Sequence, residues 1–187
     1  MSVRTALAVV LAVAVCGLAA PAVEDARTTA AERSVEGELG RLSRAMHSVA
    51  GDDAVPIGRR GARRVVTLAL PPASPTSSGV AFVALGGVPG RRHPKDVRGD
   101  VLSHRAAGGR VRVRRVPFDV RVAVRNDGWQ VRSDVRPLVV RRSGRTRILL
   151  RLVRYRGRST VLVARADAPP PATAGSLRVL VGEISRR

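Results

Sequence analysis

The 187-residue chain contains a single cysteine, Cys16, which excludes an internal disulfide and any zinc site built from paired cysteines. Aromatic residues make up only 2% of the sequence, namely Phe82, Phe118, Trp129 and Tyr155. So few rings cannot supply the stacking platforms of single-strand nucleic-acid binders. Lysine is almost missing too, with Lys95 the sole example among 34 basic side chains. No phosphate-cradling loop, dinucleotide fingerprint, nucleophile elbow, recognition helix, zinc finger or RNA-binding strand signature occurs. These absences point away from an enzyme and away from nucleic acid, and no cofactor, metal or catalytic residue is expected.

What the sequence does have is charge of one sign on an otherwise foldable composition. Lys+Arg total 34 against 14 Asp+Glu, a net charge of +20, while 44% of residues are hydrophobic; the chain is able to bury a core and is no basic disordered tail. The charge divides the molecule. Residues 1–53 carry five basic side chains against seven acidic ones, net −2, and the rest carries 29 against seven, net +22. A coding bias that also inflates alanine and valine accounts first for the preference for arginine, and a face that attracts anions is the functional reading.

Residues 5–23 contain no charge over 19 positions, roughly 28 Å of helix and close to the thickness of a bilayer core. Residues 1–23 are therefore read as a transmembrane anchor, with a signal peptide cleaved after Ala22 as the competing reading. Ala8, Ala12, Cys16 and Ala20 recur at every fourth position and would let another helix approach closely. Beyond the apolar stretch, Val35, Leu39, Leu42, Met46 and Val49 step by four and three, the spacing of one apolar stripe. Residues 24–51 are expected to be an amphipathic stalk continuing the anchor helix, with Pro21 bending it without ending it.

An apolar helix interrupted by Pro21 and followed by Glu24, Asp25 and Arg27 resembles the N-terminal helix of type IV pilins and pseudopilins. The whole chain also resembles an uncharacterised family of small haloarchaeal membrane proteins associated with pilus-like gene clusters. The resemblance implies a helix whose first half lies in the membrane or a filament core and whose second half packs on an antiparallel sheet. Of its functional residues only Pro21 carries over, as the kink. The glutamate usual early in the apolar stretch of pilins is missing, and Arg4 is the charge nearby.

From residue 62 the period changes to two. Arg110, Arg112 and Arg114 alternate with valines, and Phe118, Val120, Val122 and Val124 alternate with Asp119, Arg121 and Ala123, as half-buried strands do. Ile148, Leu150 and Leu152 alternate in the same way with Arg147 and Arg151. Further strands are expected at 65–70, 80–85, 138–142, 160–165 and 177–181. Gly108-Gly109, Asn126-Asp127-Gly128, Ser143-Gly144 and Arg156-Gly157 suit tight turns between them. Residues 62–184 thus read as a basic antiparallel β domain, a meander, giving an α+β fold with the long helix laid on the sheet. Arg110, Arg112, Arg114, Arg121, Arg147 and Arg151 are expected to form one face toward an anionic partner.

The polar cluster of His93, Lys95, Asp96, Asp100 and His104 is expected to be a loop, with ligand spacing unsuited to a metal and arginines nearby to repel one. The combined expectation is a non-catalytic single-pass membrane protein with its C-terminal domain outside the cytoplasm, an accessory or subunit of a pilus-like or secretion assembly. Its partners would be the membrane, other membrane or pilus-like subunits, and an anionic surface or acidic protein. The alternative is a secreted β protein that binds anionic polymers or cell-surface components through its arginine face.

Overall fold

The computed structural model describes residues 3–57, 59, 61, 63–91, 100–125, 129–131 and 136–166. A single helix, α1 (Val3–Ala50), spans 48 residues and continues through Pro21. Alanine and leucine on both sides are strong helix formers, so the loss of one backbone donor does not stop the ladder. Its first half is bare: Val3, Leu7, Leu11, Leu18 and Val23 are all exposed, and this half is long and apolar enough to cross a membrane. Burial begins at Arg27, whose Nη2 donates to the Ser74 carbonyl at 2.9 Å. The Ser78 amide donates in turn to the Arg27 carbonyl at 3.2 Å. Gly51 closes the helix, its amide donating to the His47 carbonyl.

Ten strands follow among the described residues: β1 (Val55–Pro56), β2 (Arg63–Leu70), β3 (Val80–Leu85), β4 (Asp100–Ala106), β5 (Arg112–Val116), β6 (Asp119–Arg125), β7 (Trp129–Val131), β8 (Leu138–Val140), β9 (Gly144–Tyr155) and β10 (Arg158–Arg165). They form a six-stranded sheet in the order β1-β9-β10-β6-β7, with β2 also on β9, and a four-stranded sheet in the order β5-β4-β3-β8. The fold is α+β, one long helix packed on largely antiparallel sheets.

The connectivity departs from a simple meander. Sequence neighbours pair at β3–β4, β4–β5, β6–β7 and β9–β10. Distant strands pair at β2–β9 and β3–β8, and β10 lies parallel to β6, as β1 does to β9. The physical reason is the shared core. Both sheets turn an apolar face to the same helix stripe, which splits the strands between two layers where a meander would keep them in one. Val35, Leu39, Leu42, Met46 and Val49 are buried together with Leu68 and Leu70 of β2, Val83 and Leu85 of β3, Leu102 of β4, Val120 and Val122 of β6, Ile148, Leu150 and Leu152 of β9, and Val161 and Val163 of β10.

Most expected strands lie within two or three residues of their expected bounds, β3 at its expected limits. The expected loop around Asp100 and His104 is instead strand β4. It sits between β3 and β5, and its buried face carries Asp100 and His104 beside Leu102 and Ala106, so polar residues on the inner side break the apolar alternation that marks a half-buried strand. The expected strand at 177–181, the turn at 126–128 and residues His93, Lys95 and Asp96 lie outside the described residues.

Two backbone positions fix the layout. Gly86 has φ +81°, and a β-carbon there would meet the Val120 carbonyl oxygen at 3.0 Å, so only glycine lets the end of β3 approach β6 this closely. The amides of Gly86 and Gly87 both donate to the Val101 carbonyl at 3.0 Å, folding the chain end onto β4. At the β9–β10 turn Arg156 and Gly157 both have positive φ, 50° and 76°, the pairing of the tight hairpin turn that favours Asn-Gly. Gly86→Ala is expected to lower stability by about 1–3 kcal/mol, and Arg156→Asn to raise it by about 0.5–1 kcal/mol; the midpoints of urea unfolding read both.

Candidate functional site

The acidic helix and the basic strands meet along the edge strand β5. In the β4–β5 register His104 faces Arg112, Leu102 faces Arg114 and Asp100 faces Val116. Leu102 and Val116 belong to the core, so Arg112 and Arg114 sit on the helix-facing side of β5. Arg112 Nη2 reaches Glu32 Oε2 of α1 at 2.6 Å, and this carboxylate raises the already high pKa of Arg112. Arg114 settles over Gly40: a β-carbon on that glycine would lie 3.6 Å from Nη1. At the β4–β5 turn, Gly109 is held so near Glu32 and Thr28 that a β-carbon would lie 3.0 Å from Glu32 Oε1.

Between these contacts lies an open-sided cleft of about 410 Å³ lined by Glu36, Leu39, His104, Arg112, Val113 and Arg114. His104 is 5% exposed, and its Nε2 is buried without a hydrogen-bond partner among the described residues. Burial lowers its pKa from the usual 6.5; Glu36 and Glu32 pull it upward, and Arg112 and Arg114 push it down. The cleft offers two guanidinium groups, one carboxylate and an imidazole nitrogen with a free hydrogen-bonding position. That set suits the binding of a small anionic or polar group. Among the described residues no three His, Cys, Asp or Glu side chains gather as a metal would require.

The six arginines expected to share one face do not. Arg110, Arg112 and Arg114 flank or belong to β5 in the four-stranded sheet, whereas Arg121, Arg147 and Arg151 lie on β6 and β9 in the six-stranded sheet. Arg112 is committed to Glu32. Arg121 is committed to Asp119, with Nη2 to Oδ1 at 3.0 Å. Arg151 is 5% exposed, and Arg110 and Arg147 are exposed. The outer face of the six-stranded sheet is not purely arginine either, because Ala123, Val153, Leu162 and Ala164 form a second buried apolar cluster there with Ile57, Val131 and Tyr155. Alternating sequence assigns residues to two sides of a strand but not to a sheet or its cover, and this is why the single face was misplaced.

Ala8, Ala12, Cys16 and Ala20 lie on the bare half of α1, all exposed with Pro21, and the stalk stripe is in the core. Asp100, expected in a loop, is buried and accepts the Val120 amide at 3.3 Å, tying β4 to β6. Glu32, Glu36 and Glu38 are not among the site residues expected from the sequence. Glu38, itself buried, takes the guanidinium of Arg41 and accepts the Ala69 amide of β2 at 3.4 Å. Their signal was available: acids bordering an apolar helix stripe in a chain whose remainder is strongly basic.

Residues 2–166 match the family described as a domain of unknown function, DUF7311, and the chain belongs to it. Comparison with curated proteins and with solved structures returned no match.

The cleft has a pH signature. The folded pKa of His104 lies below its unfolded value, so the unfolded chain takes the proton first. The stability this residue permits is therefore complete above about 6.5 and declines as pH falls below it. Thermal unfolding between pH 7.5 and 5 should show a steeper decline for the wild type than for His104→Gln; parallel curves would contradict this.

Proposed function

We propose that this chain is a non-catalytic, single-pass membrane protein in which α1 anchors a basic β head outside the cytoplasm, as a pilin-like accessory or subunit of a pilus-like or secretion assembly. One observation carries this reading: a single uninterrupted helix is bare and apolar over its first half and built into the head over its second. Only about four residues, roughly 6 Å of helix, separate Val23 from the first head contact at Arg27, so the head would sit directly on the membrane surface. The similarity of the Pro21–Arg27 region to type IV pilins, and of the chain to haloarchaeal membrane proteins near pilus-like gene clusters, supports the assembly role. Ala8, Ala12, Cys16 and Ala20 present a small-residue stripe on the bare half, suited to close approach by a neighbouring helix. Arg4 before the apolar stretch favours that end inside. In this reading the cationic head meets anionic surfaces or acidic proteins, and nucleic acid is not its partner.

A second reading is favoured by the position of Arg27. Cleavage after Ala22 would leave every described contact of the head in place, releasing a secreted β protein that binds anionic polymers or cell-surface components through arginine. N-terminal sequencing of the mature protein separates the two. For the anchored reading, a Ser143→Cys variant, at an exposed turn, should react with an impermeant maleimide on intact cells and stay in the membrane after alkaline carbonate extraction. Labelling only after lysis would overturn export, and release by carbonate would overturn the anchor.

A further inference from the structure

We propose that Arg151 of β9 and Arg63 of β2 form a binding site for an oxyanion, a carboxylate or a phosphate, on the outer face of the six-stranded sheet. Neither the cleft at β5 nor the membrane reading is needed for it. Arg63 stands directly opposite Arg151 in the β2–β9 register. Across the other edge of β9, Arg151 stands opposite Leu162, and Leu162 in turn beside Arg121 of β6. The row across the sheet is thus Arg63, Arg151, Leu162, Arg121.

The three arginines of the row are held differently. Arg121 has its Nε donating to Asp119 Oδ2 at 3.1 Å and its Nη2 to Oδ1 at 3.0 Å, a two-point fork on one carboxylate. Asp119 is held in turn by the Thr160 hydroxyl at 3.2 Å. Arg63 is exposed. Arg151 is 5% exposed, flanked on its own strand by the buried Leu149 and Val153, and its Nε and Nη2 are shielded from solvent with no hydrogen-bond partner among the described residues. Those two nitrogens are the donors of one guanidinium edge, the edge that Arg121 uses to grip Asp119. The same fork is therefore paired with a carboxylate at one end of the row and desolvated without a partner among the described residues at Arg151.

A guanidinium edge buried without a partner costs stability, and like charges facing each other across a strand pair repel. A single anion set against the Nε and Nη2 edge of Arg151, and shared with Arg63, removes both penalties. Arginine's planar fork matches the two oxygens of a carboxylate or phosphate, and such charge-assisted pairs are about twice as strong as neutral ones. The site also lies far from any bilayer that α1 crosses. Arg64, next to Arg63, donates to Ser48 Oγ near the end of α1 at 3.1 Å, on the order of 35 Å of helix beyond Val23. The anion is thus not a headgroup of the membrane holding α1; it comes from solution or from a molecule facing the head.

The test uses full-length protein in detergent micelles, with phosphate and, separately, acetate titrated at constant ionic strength against chloride while the unfolding temperature is followed. Excluded anions stabilise most proteins without saturating, so the readout is the saturable part, which specific binding to the folded state produces. Wild type should rise and level off with at least one of the two anions. R151M, an apolar replacement of similar length, should show no saturable rise, and without anion should unfold no lower than the wild type. R63Q should fold normally and need about tenfold more anion for half the effect, the loss of one charge-assisted contact. A response to acetate marks a carboxylate-accepting site and a response to phosphate alone a tetrahedral one. Rises of equal size in wild type and R151M, no saturable rise in the wild type with either anion, or an unchanged midpoint in R63Q would overturn the assignment. If R151M does not fold, R63Q against wild type decides alone.

Discussion

The molecule is organised by one burial event: the stripe of Val35, Leu39, Leu42, Met46 and Val49 closing against the inner faces of both sheets. Each fully buried aliphatic side chain contributes roughly 1.5–3 kcal/mol, so these five contribute more together than any polar contact described. Neither sheet has another cover for its inner face among the described residues, and the stalk has no other surface for its stripe. Helix and strands are therefore obligate partners. Because the helix that fills this core is continuous with the bare apolar half, whatever holds the first half also fixes the head without a flexible linker.

Polar contacts then specify how the helix sits. Glu38 joins the Ala69 amide at the rim of β2, Glu32 receives Arg112 from β5, and Arg27 ties the Ser74–Ser78 loop to the helix. The division of charge along the chain is thus realised in space as an acidic helix flank facing basic strand edges. Surface ion pairs of this kind are individually worth little, and their role is placement more than stability. Arg121 is likewise paired, with Asp119 on β6. Among the described residues the edge of Arg151 and the Nε2 of His104, like Arg27 Nε and Ser78 Oγ, are buried without a hydrogen-bond partner, and the first two lie next to further arginines.

Much of the architecture was legible from period alone. A 3,4-spaced stripe directly after an uncharged stretch reads as one helix, and strict alternation around Val120–Val124 and Ile148–Leu152 reads as strands with one wet side. Turn chemistry located the β9–β10 hairpin at Arg156-Gly157, although arginine is a poor occupant of a left-handed position. Strand β4 was not legible, since its buried face carries Asp100 and His104 in place of apolar residues, and these two resembled the contents of a loop. The candidate cleft was visible only in part: Leu39 was expected at the helix–sheet interface and Arg112 and Arg114 on an arginine face, while Glu36 and the burial of His104 arise from the approach of two elements distant in sequence.

The linear order of residues by itself determined the helix, its apolar and amphipathic halves, the β character of the remainder and the surplus of positive charge, because these depend on local spacing and composition. Only the tertiary structure decided that the strands separate into two sheets, that β10 runs parallel to β6, that Arg112 answers Glu32, and that Arg151 is enclosed beside Arg63 with its donors unmet. Those outcomes depend on which distant strands share an edge and on what covers each face, and such choices are made by packing around a common core, where no single segment carries the information.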